Sequence, residues 1–329
     1  MEIAVASLAF VLAAVCAGLM GHAIQRGATC TVAAVDEVVT LRTFSRLASL
    51  LEAALWVGGG LLLARALNVL PRMPTGYAAS GWTILGGALL GLGAYVNRAC
   101  VFGTVARLGN GEWAYFVTPL GFYAGCLSVG AVFAMPTPHA AGHGSPVLAA
   151  APWLLAPFLA FVAWRGVGAV RALRAPAAAG RPGRAWSPHA ATTVIGLTFL
   201  AMLLLVGAWA YTDVLTELAR GMAASVAARV LLLLALFGGA IAGGWVDGRW
   251  QHTPPTPAQL VRCFGGGLLM GWGSLLIPGG NDGLILVGMP LAWPYAWLAF
   301  ATMCATIAVA QLLEFSHFGH GRAIARRPR

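Results

Sequence analysis

The chain has 329 residues, of which 59% are hydrophobic and only 9% charged, and its formal net charge is +10. A soluble domain carries about 25% charged residues, so a water-soluble fold is excluded. All 20 basic residues are arginines that cluster between apolar runs. There they set orientation in a bilayer, so no nucleic-acid partner is expected.

Runs such as 3–20, 192–210 and 230–246 approach the roughly 20 residues that a helix needs to cross a bilayer. They are continuous rather than alternating, which excludes a barrel. The expected fold class is an all-α polytopic membrane protein. No basic residue precedes the first run, so it is read as a retained helix rather than a cleaved signal. The six cysteines show no CxxC or zinc spacing; neither a disulfide framework, a metal nor a cofactor is expected.

In chain order, nine spans are predicted near 3–24, 49–67, 81–97, 113–134, 147–164, 190–210, 228–246, 262–277 and 292–313. The loop after the fifth carries Arg165, Arg171, Arg174, Arg181 and Arg184, and the tail carries Arg322, Arg326, Arg327 and Arg329. Placing both in the cytoplasm puts the N-terminus outside, with 16 arginines inside and only Arg65, Arg72, Arg220 and Arg229 outside.

A constant offset of 180 residues relates the two halves. It superimposes Glu37 on Glu217, Gly58-Gly59 on Gly238-Gly239, Gly93 on Gly273, Gly103 on Gly283, Trp113 on Trp293 and Tyr115 on Tyr295. The expected organisation is repeat 1 (1–134), a fifth span with a basic cytoplasmic linker (135–189), repeat 2 (190–313) and a basic tail (314–329). The odd span between the copies inverts the second. Inverted repeats are a transporter architecture, with the site near the midplane between them.

Two breaks occupy matching places: "NRACVFG" after the third span and "IPGGNDG" after the eighth. The runs before them, 82–96 and 263–277, hold about 15 residues, short of a full crossing. A second matched pair, "QRGATCTVAAVDEVV" and "GAWAYTDVLTELARG", is too polar for a span and too apolar for a loop. Each is read as a half-helix. Four half-helix N-termini meeting at the centre produce a positive field suited to an anion. Asp282 is read either as a helix cap or as a proton or sodium site. Glu37 and Glu217 are expected to mark the ends of the dipping helices.

At "QRGATC", "NRACVFGTVARLGNGEW" and "LLMGWGSLLIPGGNDG" the chain resembles the YeeE/YedE family of bacterial sulfur-compound transporters, which includes the thiosulfate permeases. The resemblance implies an inner-membrane permease for a small sulfur-containing anion, with thiosulfate uptake as the leading case. It also implies a cytoplasmic sulfur-acceptor protein as a possible partner.

The expected substrate-binding set is Cys30, Cys100, Arg26, Gly27, Asn97, Arg98, Gly103, Gly279, Gly280, Asn281, Asp282 and Gly283. Of the four cysteine positions of the family pattern, the offset puts Ala210 opposite Cys30 and Gly280 opposite Cys100, so two are empty. A thiol is a weak donor and a soft contact for a sulfur-bearing anion, and a thiolate repels one, so both cysteines are expected to be protonated. An adjacent arginine lowers a thiol pKa, and Arg98 is two residues from Cys100, but the spacing does not decide whether it points at the site. Two alternatives stand beside transport: a membrane thiol redox enzyme using Cys30 and Cys100, and a transport-inactive partner subunit.

Overall fold

The computed structural model describes residues 7–71, 73–133, 139–174, 186–221 and 226–322. Arg72, Arg181, Arg184, Arg326, Arg327 and Arg329 lie outside the described residues. Helices α1 (Leu8–Gly27), α2 (Thr31–Leu41), α3 (Ser45–Ala66), α4 (Gly81–Asn97), α5 (Val101–Gly109) and α6 (Val117–Val132) form the first half. A short α7 (Pro146–Ala149) and a long α8 (Ala151–Arg174) follow. The second half holds α9 (Pro188–Val206), α10 (Tyr211–Ala219), α11 (Val226–Val246), α12 (Pro257–Leu276), α13 (Asn281–Gly283) and α14 (Pro294–Arg322). The chain continues from α13 into a π-helical turn at Leu284–Gly288.

Eight helical segments among the described residues are long and apolar enough to cross a membrane. The bent pair Pro257–Leu276 and Asn281–Gly288, which turns by 52°, makes nine. The protein is a polytopic all-α membrane protein.

Local chemistry sets the helix starts. Ser7 Oγ accepts from Phe10 N (3.2 Å) at α1, and Ser187, 180 residues on, accepts from Ala190 N (3.2 Å) at α9. Ser80 and Thr83 form a capping box at α4, as do Thr256 and Gln259 at α12. That second box corrects the predicted eighth span. It starts at Pro257 and is 20 residues long, so only α4, with 17, is short. The signal was the "TPAQ" box with proline at the first helical position, hidden from a reading based on apolar runs alone.

The inverted relation is visible in the packing of α4 against α12. A methyl group at Gly86 would lie 2.8 Å from Gly273 O, and one at Gly93 would lie 2.6 Å from Gly266 O. One residue of each pair rises along the chain as the other falls, so the helices run antiparallel. Gly86 and Gly266 are repeat mates, as are Gly93 and Gly273, so the same contact occurs twice about a two-fold axis. Only glycine allows backbones this close. The other pairings repeat in the same way: α1 packs on α11 as α9 packs on α3, and α12 on α6 as α4 on α14.

The fifth span, α8, stands at the edge with Trp153 and Trp164 exposed. Its Phe158 fills the space at Gly59 of α3.

Glu37 and Glu217 each tie a half-helix to the span that follows it. Glu37 accepts from Thr43 Oγ1 (2.7 Å) and Ser45 N (3.0 Å) and pairs with Arg46 of α3, and Glu217 pairs with Arg229 of α11 at 2.5 Å.

Candidate functional site

Four helices start in the interior, each from an extended residue with no side-chain cap of its own. Cys30 precedes α2, Cys100 precedes α5, Ala210 precedes α10 and Gly280 precedes α13. These are the four repeat-related positions at which the family pattern carries cysteine. The uncapped amides are satisfied from neighbouring half-helices. Thr31 N donates to Cys100 Sγ (3.1 Å), and Val101 N donates to Asn281 Oδ1 (3.3 Å). Thr212 N donates to Asp282 Oδ2 (3.2 Å). The two breaks therefore adjoin, with the residue pair Val101 and Asn281 spanning the repeat offset of 180.

Cys30 and Cys100 adjoin, since Cys100 Sγ accepts from the amide of Thr31, the residue after Cys30, and both are free thiols. Cys100 is fully buried. A side chain at Gly103 would have its Cβ 2.6 Å from Cys30 Sγ, so glycine is required for the thiols to sit together. At its repeat mate Gly283 the space is open, the nearest atom being Asp213 Oδ1 at 4.0 Å.

Cys30 and Gly103 line a cavity of about 1360 Å³ that also reaches Arg46, Arg98, Arg107 and Arg262, with Asp36, Glu112 and Glu314 among them. Arg107 pairs with Glu112 at 2.9 Å, and Tyr95 Oη donates to Glu314 at 2.8 Å. A smaller cavity, 330 Å³, lies at the second break, lined by Leu275, Leu276, Pro278 and Tyr295. These first three are the repeat mates of Tyr95, Val96 and Arg98 in the large cavity. Each break thus has its own cavity, and the one at the thiols is larger.

Several expected ligands are placed elsewhere. Arg26 ends α1 in an ion pair with Asp247 and lies over the Trp186 ring, 6.0 Å from its centroid. Gly27 meets Ala191 of α9 and serves helix packing. Asn97 is fully buried and fully engaged: Nδ2 donates to Ala99 O (2.8 Å) and Thr104 Oγ1 (3.2 Å), and Oδ1 accepts from Thr118 (2.9 Å). It braces the first break and lines neither of these two cavities. Arg98 is exposed and lines the large cavity. Gly279 takes a φ of +147°, where a side chain is strained.

Asp282 caps α10, with Thr212 Oγ1 donating to Oδ1 at 2.5 Å, and the same Oδ1 also accepts from Gly283 N (3.0 Å) of its own helix. A side chain at Gly280 would collide with Thr212 and come within 2.8 Å of Asp282 Oδ1, so no cysteine fits there beside this carboxylate. Sequence reasoning missed Thr31, Thr104, Thr118 and Thr212. For Thr31, Thr104 and Thr212 the one signal was threonine at or next to a break; Thr118, on α6, carried none.

Interrupted, antiparallel-related helices whose starts converge inside the bundle define a membrane transporter of the inverted-repeat class. Residues 26–309 match the family model described as sulphur transport, and the chain belongs to that family, which is the YeeE/YedE family of sulfur transport proteins. It is a sulfur-compound transporter. No curated protein matches it.

Proposed function

We propose that the chain is a bacterial inner-membrane permease that takes up a small sulfur-containing anion, with thiosulfate first among the candidates. The observation that carries this reading is the meeting of Cys30, Cys100 and the Thr31 amide at the α2 and α5 starts, beside the 1360 Å³ cavity. Helix-start amides favour negative charge, and a thiol is a soft donor for sulfur. The arginine distribution places the C-terminus and the large cavity on the cytoplasmic side. Substrate then enters past Pro278, reaches the thiols and leaves among Arg98, Arg107 and Arg262. A cytoplasmic sulfur-acceptor protein is the proposed recipient.

Uptake of radiolabelled thiosulfate by a permease-deficient strain tests the reading. Accumulation above the empty vector supports it, and none from protein shown to be in the membrane rejects thiosulfate. The contact between the thiols adds a second expected outcome. Diamide takes the two thiol hydrogens and leaves a Cys30–Cys100 disulfide. Uptake then stops, and dithiothreitol restores it. Uptake that persists in fully cross-linked protein places the path elsewhere.

A further inference from the structure

The two halves cap their half-helices with different chemistry. In repeat 1 the amide at the start of α2 meets a thiol, Thr31 N to Cys100 Sγ. In repeat 2 the amide at the start of α10 meets a carboxylate, Thr212 N to Asp282 Oδ2. Asp282 thus lies where, by symmetry with the thiol site, an anion would be received. It is 2% exposed, and no ion pair reaches it among the described residues. Next to it the fully buried Asn281 has an Nδ2 with no partner, a donor left over at the junction of the breaks.

Thr212 N, Thr212 Oγ1 and Gly283 N donate to this carboxylate, but no cation among the described residues pairs with it, and inside a membrane such groups mark ion or proton pathways. The groups that face Asp282 add no positive charge. On α10 these are Tyr211 and Asp213 and on the π-helical turn none, while the α5 start, which meets Asn281 through Val101 N, carries only the Cys100 thiol. Behind Asp213 stand the Glu217–Arg229 pair, already neutralised, and Tyr295. A substrate anion moving between Pro278 and Cys100 passes this carboxylate at close range, where like charges repel in a low dielectric.

We propose that Asp282, with Asp213 beside it, is a proton-binding site that couples the inward movement of protons to that of the anion. Protonation converts a charge that repels the anion into a hydroxyl donor, and release of the proton toward the large cavity restores the charge behind the departing substrate. No oxidation or bond to substrate is involved; one proton binds a carboxylate oxygen and leaves again.

This inference rests on the transport reading above. It is tested with the full-length protein in proteoliposomes, using labelled thiosulfate, an internal pH dye, and potassium with valinomycin to hold the potential at zero. An inward proton gradient is expected to drive accumulation, and one proton per turnover converts each pH unit into about a tenfold concentration ratio. Thiosulfate added outside is expected to acidify the lumen.

Asp282→Asn, neutral and similar in shape, is expected to lose both accumulation and acidification. Asp282→Glu is expected to restore part of each. Wild-type flux without proton movement overturns the proton site and leaves the transport reading intact, as does acidification undiminished in Asp282→Asn. Absence of thiosulfate counterflow in the wild type rejects thiosulfate as the substrate and, with it, this inference. The wild-type proton measurement decides the question even where a variant does not fold.

Discussion

Cys100→Ala is expected to lower thiosulfate uptake efficiency by roughly 10- to 150-fold, the range that corresponds to losing one hydrogen bond to a charged group. The thiol is fully buried, accepts from Thr31 N at 3.1 Å and is in contact with Cys30. Alanine removes the soft sulfur contact and leaves the α2 start without its partner. The volume lost is small but the stranded Thr31 amide costs about 1–3 kcal/mol, so the variant is expected to reach the membrane with a thermal midpoint a few degrees lower. Cys126→Ala is the control. That thiol lies 3.8 Å from Thr216 Oγ1, away from both breaks, and its loss is expected to leave uptake within twofold of the wild type, in line with a minor packing change. Equal uptake by Cys100→Ala and wild type removes the thiols from the path. A loss shared equally by Cys126→Ala shows a general packing effect instead.

Asn97→Ala is expected to show the opposite pattern: a loss of stability that does not depend on substrate. The side chain holds Ala99 O, Thr104 Oγ1 and Thr118 Oγ1 in a fully buried setting. Deleting it strands these groups away from water, at a cost of about 2–4 kcal/mol. The thermal midpoint of the purified protein in detergent is expected to fall by several degrees, with the same shift with and without thiosulfate. A variant with normal stability but lost thiosulfate protection makes Asn97 a ligand after all.

Asn97 and Cys100 stand three residues apart in one quoted stretch, and sequence reading put both in the substrate set. What separates them is tertiary. Thr118, on α6, supplies the bond that completes the asparagine, whereas α2 brings Cys30 and Thr31 to the cysteine. Arg26 and Cys30 diverge in the same way. Four residues apart, one pairs with Asp247 and the other lines the cavity. Spacing along a chain says that polar groups interrupt an apolar run, but not which neighbour each one meets.

The sequence alone determined the membrane class, the nine spans and the offset of 180 residues, because hydrophobic length and arginine placement are properties of composition along the chain. It also showed the positions of the four interior helix starts, through glycine, proline and polar residues set in apolar surroundings. Only the tertiary structure decided that the breaks adjoin, that glycines bring α4 and α12 into backbone contact, and that Asp282 caps α10. It also showed that a side chain at Gly280 would meet Thr212 and the Asp282 carboxylate. Occupied space and hydrogen-bond partnership between residues 70 apart in the chain are set by packing, and no local pattern records them.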